Sequence, residues 1–198
     1  MGGERRDQVV AAAAELFAEA GYHGASMRDI GFRVGLLKGS LYAHVANKRE
    51  LLLEIASTAA RGFTVALDPI CRTQASAPEK LRQALRAHCM VLAEFGAVAA
   101  VYRREVRHLD GQPAAWERQV RQRYEALWVG IFEQGCREGT FRTDLDAPAA
   151  TALALAGAWA AVDGIRPVAA DPVAYADCLC DLLLAGCGNA TPRGSPVG

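Results

Sequence analysis

Val9, Ala13, Leu16, Phe17 and Ala20 recur at helical spacing and so form one apolar stripe on a segment running from about residue 4 to 20. Stripes of the same 3.6-residue period return along most of the chain, built mainly from alanine and leucine. The period-two alternation that a half-buried strand needs is missing. A chain patterned this way buries its apolar faces helix against helix, which predicts an all-α fold.

Caps and breakers divide the stripes into about nine helices. Gly21 ends the first as a left-handed cap. Ser26, with Asp29 three residues on, opens a short second helix over 27–34, and Gly35 closes it. A third short helix spans about 37–44. Asn47, with Glu50 as its partner, caps a long fourth helix that Asp68-Pro69 is expected to stop near Leu67. Ser76 to Glu79 opens a fifth, whose buried stripe is Leu81, Leu85, Cys89 and Leu92. Gly96 precedes a sixth over 97–106, and Pro113 opens a seventh toward Cys136 that Gly139 ends. Asp146 caps an eighth, reaching about Val162, and Asp171-Pro172 starts a ninth, reaching about Ala185. The pattern implies an N-terminal domain over residues 1–50, a larger helical domain over 51–186 and a loose tail over 187–198.

Composition narrows the functional classes. Of 198 residues 52 % are apolar, enough for a packed core, and 22 Lys and Arg balance 22 Asp and Glu. A chain coated in nucleic acid is excluded by that balance, while a local basic patch is not. No apolar run is long enough for a membrane span; the best candidate, 147–162, is mostly alanine and contains Pro148. The opening "MGGERRDQVV" lacks a hydrophobic signal core, so a cytoplasmic location is expected. The six cysteines fit no zinc spacing and read as free thiols on helix faces. No metal site, cofactor or catalytic residue is indicated: there are four histidines and no G-x-S-x-G, H-E-x-x-H or glycine-rich phosphate loop, so an enzyme is not expected.

Two short helices joined at a glycine, with a longer helix before them, describe a helix-turn-helix, whose second helix enters the major groove. Its outward face here carries Lys38, Gly39, Tyr42 and His44, with Lys48 in the first turn of the fourth helix. Residues 1–55 hold seven basic and seven acidic side chains, yet the stretch from Gly31 to Lys48 has no acid. Placement, not net charge, supports a DNA face. The alternative is a set of ordinary solvated side chains.

The segment "LFAEAGYHGASMRDIGFRVGLLKGSLYAHVANKRELL" resembles the DNA-binding domain of TetR-family transcriptional regulators over about residues 8–55. The likeness rests on the first-helix phenylalanine and glycine, the Ser-capped second helix, the G-x-x-K-G-S-L-Y-x-H core and the Lys-x-x-Leu opening of helix four. It implies DNA contacts by Lys38, Gly39, Tyr42, His44 and Lys48, with Ser26 and Arg28 near phosphates, on a palindromic double-stranded operator bound by a homodimer. Three positions depart from the pattern: Gly31 for alanine, Leu37 for a Ser or Thr cap, and Val45 for phenylalanine. Losing the cap at Leu37 weakens the third helix by about 1 kcal/mol.

The resemblance also implies a ligand pocket and a dimer interface in the C-terminal part. Small residues in the eighth helix suit close helix contact, and Leu155, Trp159, Leu179, Leu182 and Leu183 are the candidate dimer residues; internal packing is the alternative. Phe95, Tyr102, Arg103, Trp116, Tyr124 and Trp128 are the candidate ligand residues, with packing again the alternative. "REVRHLDGQPAAWERQVRQRYEALW…GTFRTDLD" is similar to TetR-type regulators of fatty-acid and sterol breakdown that sense acyl-CoA thioesters, which implies that Arg103, Arg104, Arg107, Arg118, Arg121 and Arg123 meet CoA phosphates. Two other readings stay open: a metal- or thiol-responsive regulator using Cys178, Cys180 and Cys187, and a helical ligand-binding dimer that no longer binds DNA.

Overall fold

A computed structural model describes residues 2–105, 111–160 and 171–188. Among them are nine α-helices: α1 (Gly2–Gly24), α2 (Met27–Arg33), α3 (Lys38–Tyr42), α4 (Lys48–Cys71), α5 (Ala77–Glu94), α6 (Gly96–Glu105), α7 (Gly111–Glu138), α8 (Ala147–Ala160) and α9 (Pro172–Cys187). The only strand-like pairing among the described residues is an isolated bridge between Phe141 and Gly188. The sequence-predicted ends of α8 beyond Ala160, and the tail from residue 189, lie outside the described residues.

The caps form largely as the sequence predicts. Gly21 breaks α1 with φ +76°. Ser26 and Asp29 exchange both bonds of a capping box at α2, and Asp146 and Asp171 accept from the amides of Ala149 and Ala174. Two elements differ. The third helix is shorter than the expected 37–44, with only five helical residues and no side-chain cap at Leu37. The fourth runs four residues past Leu67, straight through Pro69. Proline removes one hydrogen bond to the carbonyl four residues back, that of Val65. Val65 and Pro69 both lie on the exposed face, where water reaches that carbonyl, so the break expected there does not occur.

Contacts divide the chain into two compact units, residues 1–62 with 95–121 and residues 63–94 with 122–198. In the first, Val9, Ala13 and Phe17 of α1 meet Ile30 of α2, Leu41 of α3, and Leu51 and Ile55 of α4. Val101 of α6 joins this core, and α6 packs along α1. In the second, α5 packs chiefly on α9, and α8 packs on both. Its largest buried side chains include Trp128, Phe132, Phe141, Leu81 and Leu85. Gly135 leaves the seat for the Phe141 ring: a Cβ there would lie 2.1 Å from Phe141 Cδ2. Arg82 and Arg86 of α5 grip Asp177 and Asp181 of α9 at 2.6–3.3 Å.

Candidate nucleic-acid interface

The turn between α2 and α3 is fixed by backbone geometry. Gly35 takes φ +66°, a left-handed conformation that favours glycine. The amide of Leu36 then donates to the carbonyl of Gly31 at 2.9 Å. At this crossing a Cβ on residue 31 would lie 3.1 Å from the Leu36 carbonyl oxygen and 3.4 Å from Leu41 Cδ2. The departure from alanine at position 31 therefore has a steric reason. α3 is too short to stand alone; Leu41, buried, and Val45, just beyond it, anchor the segment in the core.

The candidate contact residues occupy several settings. Arg28 is exposed in the first turn of α2. Ser26 is exposed, but its hydroxyl serves the capping box, donating to Asp29 Oδ2 at 2.6 Å. Those bonds hold the Asp29 carboxyl below the usual carboxylate range. Tyr42 is exposed on α3, and His44, half-buried, lends its backbone carbonyl to Arg6. Lys38 opens α3. Around Gly39 an added Cβ would meet nothing within 4 Å, so the fold itself does not require glycine there.

Lys48 is placed otherwise than the sequence suggests. Its Nζ donates to the carbonyls of Tyr22 at 2.6 Å and Ala25 at 2.9 Å, and sits 4.4 Å from the Tyr22 ring centroid. The break at Gly21 leaves these carbonyls at the α1–α2 junction, and the ammonium satisfies them. Arg6 is the second tie: it meets Glu50 Oε1 at 2.7 Å and Glu54 Oε2 at 2.6 Å, which raises its own pKa. The Arg6 bond, with the Ala46 amide, holds the Glu50 carboxyl below its ordinary value. Arg33 pairs with Glu15 at 3.3 Å and with Glu19 at 2.8 Å, and its hydrogen bond holds the Glu19 carboxyl below its ordinary value. Glu15 and Glu19 of α1 and Glu50 and Glu54 of α4 are thus bound up with arginines, while the stretch from Gly31 to Lys48 has no acid.

The sequence of this unit matches the model of the bacterial regulatory proteins of the tetR family over residues 9–55, and a tetracyclin repressor-like C-terminal domain matches residues 74–162. The repressor KstR2 of Rhodococcus jostii is 33 % identical over 170 residues, covering 82 % of this chain and 80 % of that one. The chain belongs to the TetR family of transcriptional regulators. The fatty acid metabolism regulator protein of Bacillus subtilis is 26 % identical over 139 residues, 70 % of this chain and 72 % of its own. In structure, the ketosteroid regulator KstR2 of Mycobacterium tuberculosis superposes with a TM-score of 0.86 at 26 % identity, over 93 % of this chain and 95 % of that one. As a TetR-family member the protein is a DNA-binding transcriptional regulator.

The candidate effector residues of this TetR-family chain divide between the two units. Phe95, Tyr102, Arg103 and Trp116 belong to the first. There the Tyr102 hydroxyl donates to the buried Glu117 at 3.0 Å, and Trp116 borders a groove of about 450 Å³ with Arg6, Glu54 and Arg61. Phe95 is half-buried and Arg103 exposed. Of the other arginines, Arg104 donates to the Ala18 carbonyl at 3.3 Å, Arg121 pairs with Glu117 at 3.6 Å, Arg118 and Arg123 are exposed, and Arg107 lies outside the described residues.

Tyr124 and Trp128 belong to the second unit and are joined by a residue the sequence did not single out. His88 is buried, stacks on Phe63 at 4.7 Å, and shares a 2.6 Å hydrogen bond between Nδ1 and the Tyr124 hydroxyl. Trp128 and Trp159 meet its ring edge-on at 6.0 and 5.7 Å. Burial pushes the imidazole pKa down to about 3, so it is neutral. His88 Nε2, Trp128 Nε1 and Thr151 Oγ1 are buried without a hydrogen-bond partner. Sequence offered one faint signal, a histidine on the stripe next to Cys89.

Among the candidate dimer residues, Trp159 turns into this ring cluster and Leu179 covers Gly157, where a Cβ would lie 2.7 Å from its Cδ1. Leu155 and Leu183 are half-buried, whereas Leu182 is 69 % exposed. Leu153, not singled out before, is similarly exposed on α8.

Proposed function

We propose that the protein is a repressor whose homodimer binds a palindromic operator and is released by a small apolar or acyl-CoA-type effector. The observation that carries this reading is the acid-free stretch from Gly31 to Lys48, held in helix-turn-helix geometry by Gly35 and the Ser26–Asp29 box within the family-matched segment. Residues 1–50 serve DNA, residues 51–186 the effector and the dimer, and 187–198 form a tail, of which Cys187 still belongs to α9. Ser26, Arg28, Lys38, Gly39, Tyr42 and His44 meet phosphates and base edges. Lys48 contributes by fixing the α1–α2 junction.

The ring cluster of Phe63, Tyr124, Trp128 and Trp159 supplies the apolar wall of the effector site, and the unpartnered His88 Nε2 and Trp128 Nε1 supply its polar contacts. Relatives named for ketosteroid regulation and fatty acid metabolism support an effector of the sterol or fatty-acid class. Arg123, exposed in the same unit as the ring cluster, meets the CoA phosphates. Effector binding favours one tilt of α4, and only a difference in affinity between the two tilts shifts operator binding.

Fluorescence anisotropy on a selected operator, at fixed salt, tests the reading. Tyr42→Ala is expected to lower affinity at least tenfold with the far-ultraviolet dichroism unchanged. A medium- or long-chain acyl-CoA, but not free CoA, is expected to release the DNA. Unchanged affinity in Tyr42→Ala, or release by none of these compounds, defeats the corresponding part.

The competing readings fare less well on the structure. Among the described residues no group of three or more His, Cys, Asp or Glu side chains is placed to hold a metal. Cys178 is exposed on α9, whereas Cys180 and Cys187 are buried and burial raises their thiol pKa. A reading without DNA binding draws on the departures at Leu37 and Gly31; at Gly31 a Cβ would lie 3.1 Å from the Leu36 carbonyl oxygen, so the tight turn itself favours glycine there.

A further inference from the structure

Phe32 and Leu37 are the most exposed large apolar side chains among the described residues, at 89 % and 83 %. Both line a groove of about 600 Å³ between α2 and α3, together with Gly31, Leu41, Arg28 and Tyr42. The fold gives neither side chain a reason to be apolar. Leu37 is the N-cap of α3 and makes no side-chain cap bond, at a position where a hydroxyl would stabilise the helix. Phe32 lies one turn after Arg28 on the outer face of α2, clear of the arginine-acid pairs that Arg33 makes with α1. Exposed apolar surface of this size marks a contact with something outside the chain.

Continuity identifies that partner. Arg28 and Tyr42, two of the candidate DNA contacts, also line the groove, and no acid lines it. The groove therefore opens on the DNA-reading surface. Of the groups that duplex DNA presents in its major groove, one is apolar, the C5-methyl of thymine.

We propose that the α2–α3 groove reads thymine: Leu37 contacts the C5-methyl of a thymine in each half-site, and Phe32 shields that methyl from water. The proposal rests on the DNA-binding reading and adds a base preference to it.

The test uses the full chain and a duplex selected from a random-sequence library. Each thymine is replaced in turn by deoxyuridine, which removes only the methyl, and affinity is measured by anisotropy at fixed salt. At least one position per half-site is expected to lose about fourfold in affinity, the worth of one buried methyl. Leu37→Ala should bind the thymine and deoxyuridine forms equally at that position, and Phe32→Ala should narrow the difference. Both substitutions are at exposed sites, so melting temperature should not move. Wild-type binding indifferent to every methyl, or discrimination that survives in both variants, overturns the proposal while leaving DNA binding in place. Failure to select any duplex overturns DNA binding and the thymine assignment with it.

Discussion

Gly39 is informative because the protein does not need it. A helical glycine costs about 1 kcal/mol relative to alanine, and here an alanine would meet nothing within 4 Å. Gly39→Ala is therefore expected to raise the melting temperature slightly and, under the proposed close approach of DNA to this position, to lower operator affinity at least tenfold. Equal affinity of variant and parent would show that space to be idle. His88 makes the opposite kind of prediction. With its pKa pushed down to about 3 from 6.5, the folded chain keeps it neutral while the unfolded chain protonates it below about pH 6.5. Its contribution is thus intact above that pH and is lost as pH falls, by about 2–3 kcal/mol near pH 4.5. Urea unfolding at neutral pH and near pH 4.5 should show a smaller drop for His88→Phe than for the parent; parallel drops would mean the ring is reached by protons when folded.

At the scale of elements, the reading head is held by charge as well as by core. Lys48 ties the start of α4 to the α1–α2 junction, and Arg6 ties α1 to Glu50 and Glu54 of the same helix. Lys48→Met leaves two junction carbonyls without their ammonium donor. It is expected to cost about 1–3 kcal/mol and to weaken operator binding through disorder of α2 and not through a lost phosphate contact. Hydrogen exchange of the α2 amides separates the two causes: unchanged protection with reduced affinity would return Lys48 to the phosphate. In the other unit, the α7 backbone at Gly135 and the Phe141 ring are in contact with no room for a methyl. Gly135→Ala should destabilise by about 1–3 kcal/mol in chemical denaturation; a neutral result would mean that the ring has somewhere else to go.

For the molecule as a whole, the question is what covers the outer face of α8 and α9. Leu153 and Leu182 stand exposed there, while the opposite face of α9 is engaged by α5 through Arg82, Arg86 and their aspartates. If this face forms the homodimer, Leu182→Arg should give a monomer by light scattering and lose most of the operator affinity, because one reading head makes half the contacts. A dimer that survives the substitution would place the interface on another surface.

Helix count, cap positions and the helix-turn-helix were legible in the sequence because each depends on neighbours a few residues apart. Ser26 with Asp29, Gly35, and the Leu81–Leu92 stripe needed no tertiary context. Pro69 misled for the same reason: its local cost is real, but which face of α4 would be wet was not a local fact. The destination of Lys48, the company of His88 and the inward turn of Trp159 depend on residues 23 to 96 positions away in the chain. Periodicity places a side chain on a face; only the packing of helices decides what that face meets.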